Sequence, residues 1–260
     1  MALTNKTIAS TYGDILQVEN SGSGRTANGT VIKDGLGQST ALTLGQNKAH
    51  LKPTSDSTDA FLVESSNGND LLNVDTTNST VKAGTTQTYV NTQIKEFGMF
   101  DMSPTAGNHY PMISMTALET VSNTDYTPIT FGTGTDPQTT YTISSSAEVF
   151  VPVLWYIPVA ITLDEVRVIA SADGATTLNF HLFSYTMATG TGSGAGDLSS
   201  GTLLAHNGSA LTAGDDRITS TTLTVDSSGV AADKVVLAFV ENIGGTDDVT
   251  AQLIVKYHYQ

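Results

Sequence analysis

The sequence predicts an all-β protein, and three observations support this fold class. Ser and Thr together make up about a quarter of the 260 residues, and glycine contributes 24. Thr, Val and Ile favour strands, whereas Gly, Asn, Asp and Ser favour turns. Helix-favouring charged residues are scarce, because all charged residues together make up only 14% of the chain. Apolar runs are short and separated by turn-forming residues, which is typical of antiparallel sheets.

Charge and cysteine content exclude several classes of function. The net charge is -14, whereas nucleic-acid binding needs a face rich in Lys and Arg, so no nucleic-acid partner is expected. Anionic membrane surfaces are disfavoured for the same reason. The chain has no cysteine, which excludes disulfides, zinc–thiolate sites, iron–sulfur clusters and cysteine nucleophiles. No secretory signal or membrane span is recognisable, so we expect synthesis in a cytoplasm and no membrane insertion.

The charge is distributed unevenly, which indicates two regions with different surroundings. Residues 1–95 carry seven basic and eight acidic residues, a net charge of -1. Residues 96–260 carry four basic and seventeen acidic residues, a net charge of -13. We therefore expect a nearly neutral N-terminal part and a strongly acidic C-terminal part.

Residues 15–84 predict a series of short strands joined by tight turns. Asn67-Gly68 and the earlier Asn-Gly pair at 28–29 are strong hairpin signals. A weak internal similarity relates 15–19 to 71–75, and 30–35 to 80–84, which suggests a strand unit used more than once. The predicted strands are 14–19, 30–33, 41–44, 60–64, 70–75 and 80–83.

Such short strands give a thin core, and small β units usually need stapling by disulfides, metal or partner chains. Because cysteine is absent and no metal motif is visible, oligomerisation is the remaining means of stabilising this region. We expect a three-fold β-prism or an interlocked trimeric region. The preceding residues 1–14 are predicted to form an anchoring arm, with Leu3, Ile8 and Tyr12 as the apolar residues that it buries on a partner.

Residues 85–138 are predicted to be a connector, and residues 139–260 a β-sandwich with a jelly-roll-like arrangement. Val90, Ile94 and Phe97 have helical spacing and predict one or two helical turns. In the sandwich, apolar and polar residues alternate along about eight runs. These predicted strands are 139–144, 148–157, 162–171, 176–185, 201–206, 217–225, 234–241 and 249–259.

No motif for catalysis, cofactor binding or metal binding stands out in the sequence. The five histidines have no metal spacing, and His181 and His258 lie opposite apolar neighbours, which predicts that they face solvent. The carboxylate pairs, at 164–165, 215–216 and 247–248, are more typical of solvated turns than of hydrolase or calcium sites. Trp155 and Tyr156 form the densest aromatic site, which suits an oligomer interface or core, or stacking on a sugar.

Three stretches of the first third of the chain resemble structural proteins of tailed bacteriophages, especially marine ones. These stretches are NKTIASTYGDILQV at 5–18, VIKDGLGQSTAL at 31–42 and LNVDTTNSTVK at 72–82. The C-terminal sandwich is similar only in style to the head domains of phage fibres and decoration proteins. The resemblance implies a homotrimer located in the virion and transfers no catalytic residue.

The resemblance leads us to expect a non-enzymatic virion protein, a homotrimeric fibre or decoration displayed on the particle surface. A short chain suits a stubby projection, which favours the head. Its partners would be its own copies and other virion proteins of the capsid or tail. Two alternatives are a receptor-binding tail fibre, with a host cell-surface glycan as a partner, and a polysaccharide-cleaving tailspike.

Overall fold

The structure is a computed structural model that describes residues 17–18, 29–34, 36–114, 129–143, 147–214 and 217–260. The chain is all-β, and helix in these ranges is limited to α1 (Ala147–Phe150) and a 3-10 turn (Val151–Val153). The chain forms two compact units, Met1–Val90 and Asn91–Gln260.

The first unit contains two four-stranded antiparallel sheets, in each of which consecutive strands are neighbours. The first sheet consists of β1 (Gln17–Val18), β2 (Thr30–Lys33), β3 (Ser39–Leu44) and β4 (Ala49–Leu51). The second sheet consists of β5 (Phe61–Glu64), β6 (Asp70–Asp75), β7 (Thr80–Ala83) and β8 (Thr88–Tyr89).

The internal similarity seen in the sequence corresponds to matching strand pairing in the two sheets. In the first sheet, Gln17 pairs with Lys33 and Val18 with Ile32. In the second sheet, Asn73 pairs with Lys82 and Val74 with Val81. In each hairpin a residue of the amide type is therefore paired with a lysine, and the neighbouring pair is of the aliphatic type.

The hairpin between β5 and β6 turns where Asn67-Gly68 predicts it. The backbone N–H of Gly68 donates to the carbonyl of Ser65 at 3.0 Å, and that of Ser65 donates to Asn69 at 2.8 Å. Gly68 has a φ of 76°, which lies in the left-handed region that residues with a Cβ rarely adopt. Glycine thus permits a turn short enough to hold the two strands in register.

The second unit is built from twelve further strands in the described ranges. They are β9 (Thr92–Met102), β10 (His109–Pro111), β11 (Trp155–Ile157), β12 (Ile161–Ala172), β13 (Thr176–Met187), β14 (Leu198–His206), β15 (Leu211–Ala213), β16 (Thr219–Thr222), β17 (Thr224–Val225), β18 (Gly229–Val230), β19 (Lys234–Gly244) and β20 (Val249–Tyr259).

These strands form two antiparallel sheets with an apolar core between them, as in a β-sandwich. The seven-stranded sheet has the order β10–β19–β13–β14–β17, with β11 on β19 and β15 on β13. The five-stranded sheet has the order β16–β12–β20–β9, with β18 on β12. Alternate side chains of each strand point into the core. Its fully buried members include Phe97, Val166, Val168, Leu253, Leu178, Phe180, Leu182, Val236 and Ala238.

A second apolar cluster lies on the outer face of the seven-stranded sheet. The sheet contributes side chains of β13 and β19, among them Tyr185 and Phe239. Residues 129–143, here called the strap, cover these side chains together with α1 and the 3-10 turn, and Phe131 of the strap is fully buried. Because both faces of β19 are covered, its residues 235–240 form a continuous apolar run.

The structure corrects the predicted helical turns at Val90, Ile94 and Phe97. Ile94 and Phe97 lie in β9, which pairs with β20 along most of its length, with Phe97 opposite Leu253, and Val90 lies in the turn before it. Long-range pairing overrides a weak local spacing here. Since β9 and β10 belong to the two sheets of the sandwich, the second compact unit begins at Asn91 and not at residue 139.

Of the predicted sandwich strands, 139–144 does not form a strand in its described residues, and 148–157 is strand only over its last three residues. In 139–144, Tyr141 makes only an isolated bridge to Leu198, and this stretch belongs to the strap. Most of 148–154 forms α1 and the 3-10 turn, and only β11 follows as strand. Both stretches cover the second apolar cluster and so lie across the outer face of the sheet.

Candidate functional site

One face of the second small sheet is apolar and accessible to solvent. Phe61 of β5, Val74 of β6 and Val81 of β7 lie opposite one another across the strands. The exposed fraction is 40% for Phe61 and for Val63, and 36% for Val81. We call this surface the apolar face. It consists of Phe61, Val63, Leu72, Val74, Val81 and Ala83.

The opposite face of the same sheet is largely polar, and several of its side chains are hydrogen-bonded, although the buried Thr80 Oγ1 has no partner among the described protein atoms. Asn73 Nδ2 donates to Asp59 Oδ1 at 2.7 Å, and Asn78 Nδ2 donates to Asp75 Oδ2 at 2.7 Å. These bonds from Asn78 lower the pKa of Asp75. Lys82 extends over the ring of Tyr89, 5.0 Å from its centroid. Leu71 on this face is also 41% exposed. The accessible residues of the apolar face, in contrast, lie side by side on three neighbouring strands.

Such an amphipathic sheet is typical of a surface that associates with another protein. Antiparallel sheets usually cover their apolar face and leave the polar face in water. Covering an accessible apolar surface contributes about 25 cal/mol per Å² of area removed from water. Contiguous apolar patches on folded proteins commonly mark such interfaces. The apolar face is the candidate association site of the first unit.

A second notable group, here called the histidine cluster, lies on the outer face of the seven-stranded sheet. It consists of His109 on β10, His181 on β13 and His206 on β14. The ring centroids of His109 and His181 are 5.1 Å apart, and those of His181 and His206 are 6.5 Å apart. His109 is fully buried and His181 is 4% exposed.

Hydrogen bonds fix the orientation of two of these rings. His109 Nε2 lies 2.9 Å from the carbonyl oxygen of Gly134, and since a carbonyl can only accept, this nitrogen donates. His206 Nδ1 lies 2.7 Å from Asp226 Oδ2. The Nδ1 atoms of His109 and His181 are buried without a hydrogen-bond partner among the protein atoms.

Burial keeps His181 neutral at physiological pH. Removal from water, together with repulsion of the charged form by the neighbouring His109 and His206, lowers its pKa to about 3. Asp136 is the opposing influence, but its carboxylate lies 3.6 Å from His181 Nε2 and is 54% exposed. Solvent screens that attraction, so it does not offset burial.

Trp155 and Tyr156 lie on opposite faces of β11 and present no joint platform. Trp155 packs inward, with its ring centroid 6.1 Å from Phe97 and 5.0 Å from Tyr257. Tyr156 points outward and is 48% exposed, and its hydroxyl donates to Asp233, which raises its pKa. Trp155 is thus part of the sandwich core, and only Tyr156 offers an accessible ring.

The other predicted residues are placed as follows. Leu3, Ile8 and Tyr12 lie outside the described residues, as does the carboxylate pair 215–216. The remaining pairs do not act together. The carboxylate of Asp164 accepts from His258 Nδ1 at 2.9 Å, while the adjacent Glu165 accepts from Arg167. Asp247 and Asp248 bond to different hydroxyls, on β13 and in the segment after β9.

The prediction that His181 and His258 face solvent is wrong, since both are buried. The strap covers His181, and His258 lies against Asp164. Sequence alternation correctly separates the two faces of β13 and β20, but it does not show that an outer face is itself covered. The histidine cluster joins residues from three distant strands, so no local spacing could reveal it.

In the described ranges, no group of three or more His, Asp or Glu side chains is arranged to hold a metal ion. No helix there is long and apolar enough to span a bilayer. No protein-family model matches this chain, and no curated protein is significantly similar to it.

Proposed function

We propose that this chain is a non-enzymatic structural protein of a tailed bacteriophage virion, a homotrimeric fibre or decoration displayed on the particle surface, with the head favoured over the tail. The observation that carries the proposal is the accessible apolar face on a sheet whose other side is largely polar. The resemblance of the first third of the chain to phage structural proteins supports the virion location.

In the proposed assembly, the apolar faces of three identical chains meet around a three-fold axis. Each sheet then becomes one wall of a β-prism, with Phe61, Val63 and Val81 inside and Asp75 and Lys82 outside. Three copies bury a surface that one chain leaves accessible, and cyclic symmetry closes the assembly without further growth. The matched pairing in the first small sheet suggests that its hairpin contributes a second layer of the same kind.

In the proposed assembly, the sandwich has a jelly-roll-like arrangement and is the distal domain of each chain. Residues 96–260 carry a net charge of -13, which keeps neighbouring copies on a particle apart and soluble. Residues 1–14, with Leu3, Ile8 and Tyr12, would anchor the protein to a capsid or tail partner. A glycan on the host surface is a further partner only in the receptor-binding alternative.

The trimer interface is tested by placing a charge on the apolar face. In sedimentation equilibrium at micromolar concentration, we expect the unmodified chain to be a trimer and Val81→Asp to be a monomer. Lys82→Asp is the matched control, because it places the same carboxylate one residue along β7 on the opposite face. A trimeric Val81→Asp chain, with normal β-sheet circular dichroism, would place the interface elsewhere.

The virion location has a separate test. Gold-labelled antibody against the sandwich, applied to intact phage particles, should mark the head surface. Labelling at the tail tip would favour the receptor-binding alternative. Absence of the protein from purified particles would contradict the proposed function as a whole.

A further inference from the structure

The strap is attached to the seven-stranded sheet at two neighbouring places. The first is apolar: the centroid of the Phe131 ring lies 4.7 Å from that of Phe239 and 6.0 Å from that of Tyr185, both in the sheet. The second is the histidine cluster, where the carbonyl of Gly134 accepts from His109 and Asp136 lies beside His181. Backbone bonds between Phe131 and His109 connect the two places.

We propose that the histidine cluster forms an acid-sensitive latch, which holds the strap on the seven-stranded sheet at neutral pH and releases it when His181 becomes protonated. The geometry that supports this latch is the position of the two buried rings beneath the strap. An imidazolium there would be a charge without water or a hydrogen-bond acceptor on its Nδ1.

Each element packed around His181 contributes a group that bears on its charge. His109 on β10 and His206 on β14 would repel it. Of the three nearby carboxylates, Asp226 is bound to His206, and Glu241 on β19 accepts from Asn179 Nδ2 at 2.9 Å. The third, Asp136 on the strap, is half exposed. None of the three therefore stabilises a buried cation at His181.

The direction of the effect follows from proton linkage. With the strap in place, the pKa of His181 is about 3, whereas in a released state water reaches the ring and its pKa returns towards the usual 6.5. Between these values, the released state binds one proton more than the closed state. The equilibrium constant for release should therefore rise up to about tenfold for each unit by which the pH falls below 6.5.

Hydrogen exchange of the full chain tests the latch. Amide protection of peptides from 129–143 is measured by mass spectrometry between pH 7.5 and 4, with rates corrected for intrinsic exchange, in the presence of a chelator. We expect strap protection to fall by up to about tenfold per pH unit below 6.5, while the buried centre of β13 stays protected. Constant strap protection across this range would overturn the proposal.

The variant His181→Leu replaces the unpartnered ring with an apolar side chain that cannot titrate, and most of the pH dependence should disappear. His258→Leu, the same substitution at a buried histidine of the five-stranded sheet, should retain it. An equal pH dependence of strap protection in both variants would contradict the latch.

If His181→Leu does not fold, NMR titration of the histidine Cε1–H signals in the unmodified chain tests the latch instead. A His181 that protonates near pH 6.5 beneath a still protected strap would also overturn it.

Discussion

Phe180 and Phe239 in the unit Asn91–Gln260 are fully buried, whereas Phe61 and Val63 in the unit Met1–Val90 each leave 40% of their surface accessible. The difference follows from strand length. Strands of eleven or twelve residues, such as β12 and β13, carry enough alternate apolar positions to close a core between two sheets. Strands of two to six residues in the first unit give each sheet only one small apolar face.

This contrast means that the two units obtain their stability from different sources. The sandwich has a core within one chain, on both faces of its seven-stranded sheet. The second small sheet has a largely polar face and an apolar face that remains accessible. On our account its missing stabilisation comes from identical chains, so the two units should respond differently to the same kind of substitution.

The largest expected effect is the loss of an aromatic side chain from the sandwich core. Phe180→Ala should lower the free energy of unfolding of the sandwich by about 3–5 kcal/mol, because it removes buried surface and leaves a cavity. Phe61→Ala should cost the single chain about 1 kcal/mol or less and instead weaken the trimer. Urea denaturation followed by Trp155 fluorescence checks the first, and sedimentation checks the second. A similar loss of sandwich stability in both variants would contradict the contrast.

The next largest effect is expected when a fragment of the chain begins inside the second unit instead of at its boundary. Fragment 91–260 should unfold in one cooperative thermal transition, because it retains β9 and β10. Fragment 139–260 lacks Phe97, Met99, Tyr110 and Met112, which are buried in the sandwich core, and should show no such transition. Differential scanning calorimetry of both fragments makes the comparison. A cooperative transition in 139–260 would restore the boundary predicted from the sequence.

The fold could be predicted from the sequence only in part. The all-β class was predictable, and so were most sandwich strands, since Leu178, Phe180 and Leu182 alternate with polar residues as β13 requires. Assignment of β9 was not possible from local pattern, because Ile94 and Phe97 also have helical spacing, and only pairing with β20 selects the strand. The strap was missed because its anchor, Phe131, stands alone among turn-forming residues.

The candidate sites were predictable to different degrees. The need for partner chains followed from the short strands between residues 15 and 84, but the face that would meet them depends on register, which places Phe61 opposite Val74. The histidine cluster depends on three strands of one sheet that are far apart along the chain. His181 and His206 are direct partners across β13 and β14, yet 24 residues of loop and strand separate them.

A moderate effect is expected from pH, and it should be confined to the sandwich. Burial depresses the folded-state pKa of His181, so its contribution to stability is complete above pH 6.5 and is lost as the pH falls towards 3. From pH 6.5 to pH 5 this loss should reach about 2 kcal/mol. Urea denaturation at both pH values checks it, with His181→Leu as the control that lacks this loss. An equal pH dependence in that variant would assign the effect to other groups.

Smaller effects are expected from alanine substitution of two glycines, one in each unit. Gly68→Ala should cost about 1 kcal/mol, because its φ of 76° disfavours a Cβ although nothing lies within 4 Å of it. Gly201→Ala should cost more, since its Cβ would lie 2.7 Å from the Cα of Thr139 in the strap. Thermal melts of the two variants rank the costs. A larger loss for Gly68→Ala would contradict the packing of the strap on β14.

The central claim is that the first unit is completed by identical chains and the second is complete within one chain. Sedimentation equilibrium of the full chain beside fragment 91–260, at micromolar concentration, tests it most directly. We predict three times the 27.2 kDa of one chain for the full-length protein and a single-chain mass for the fragment. A well-folded full-length monomer, or a fragment that is itself a trimer, would contradict this account.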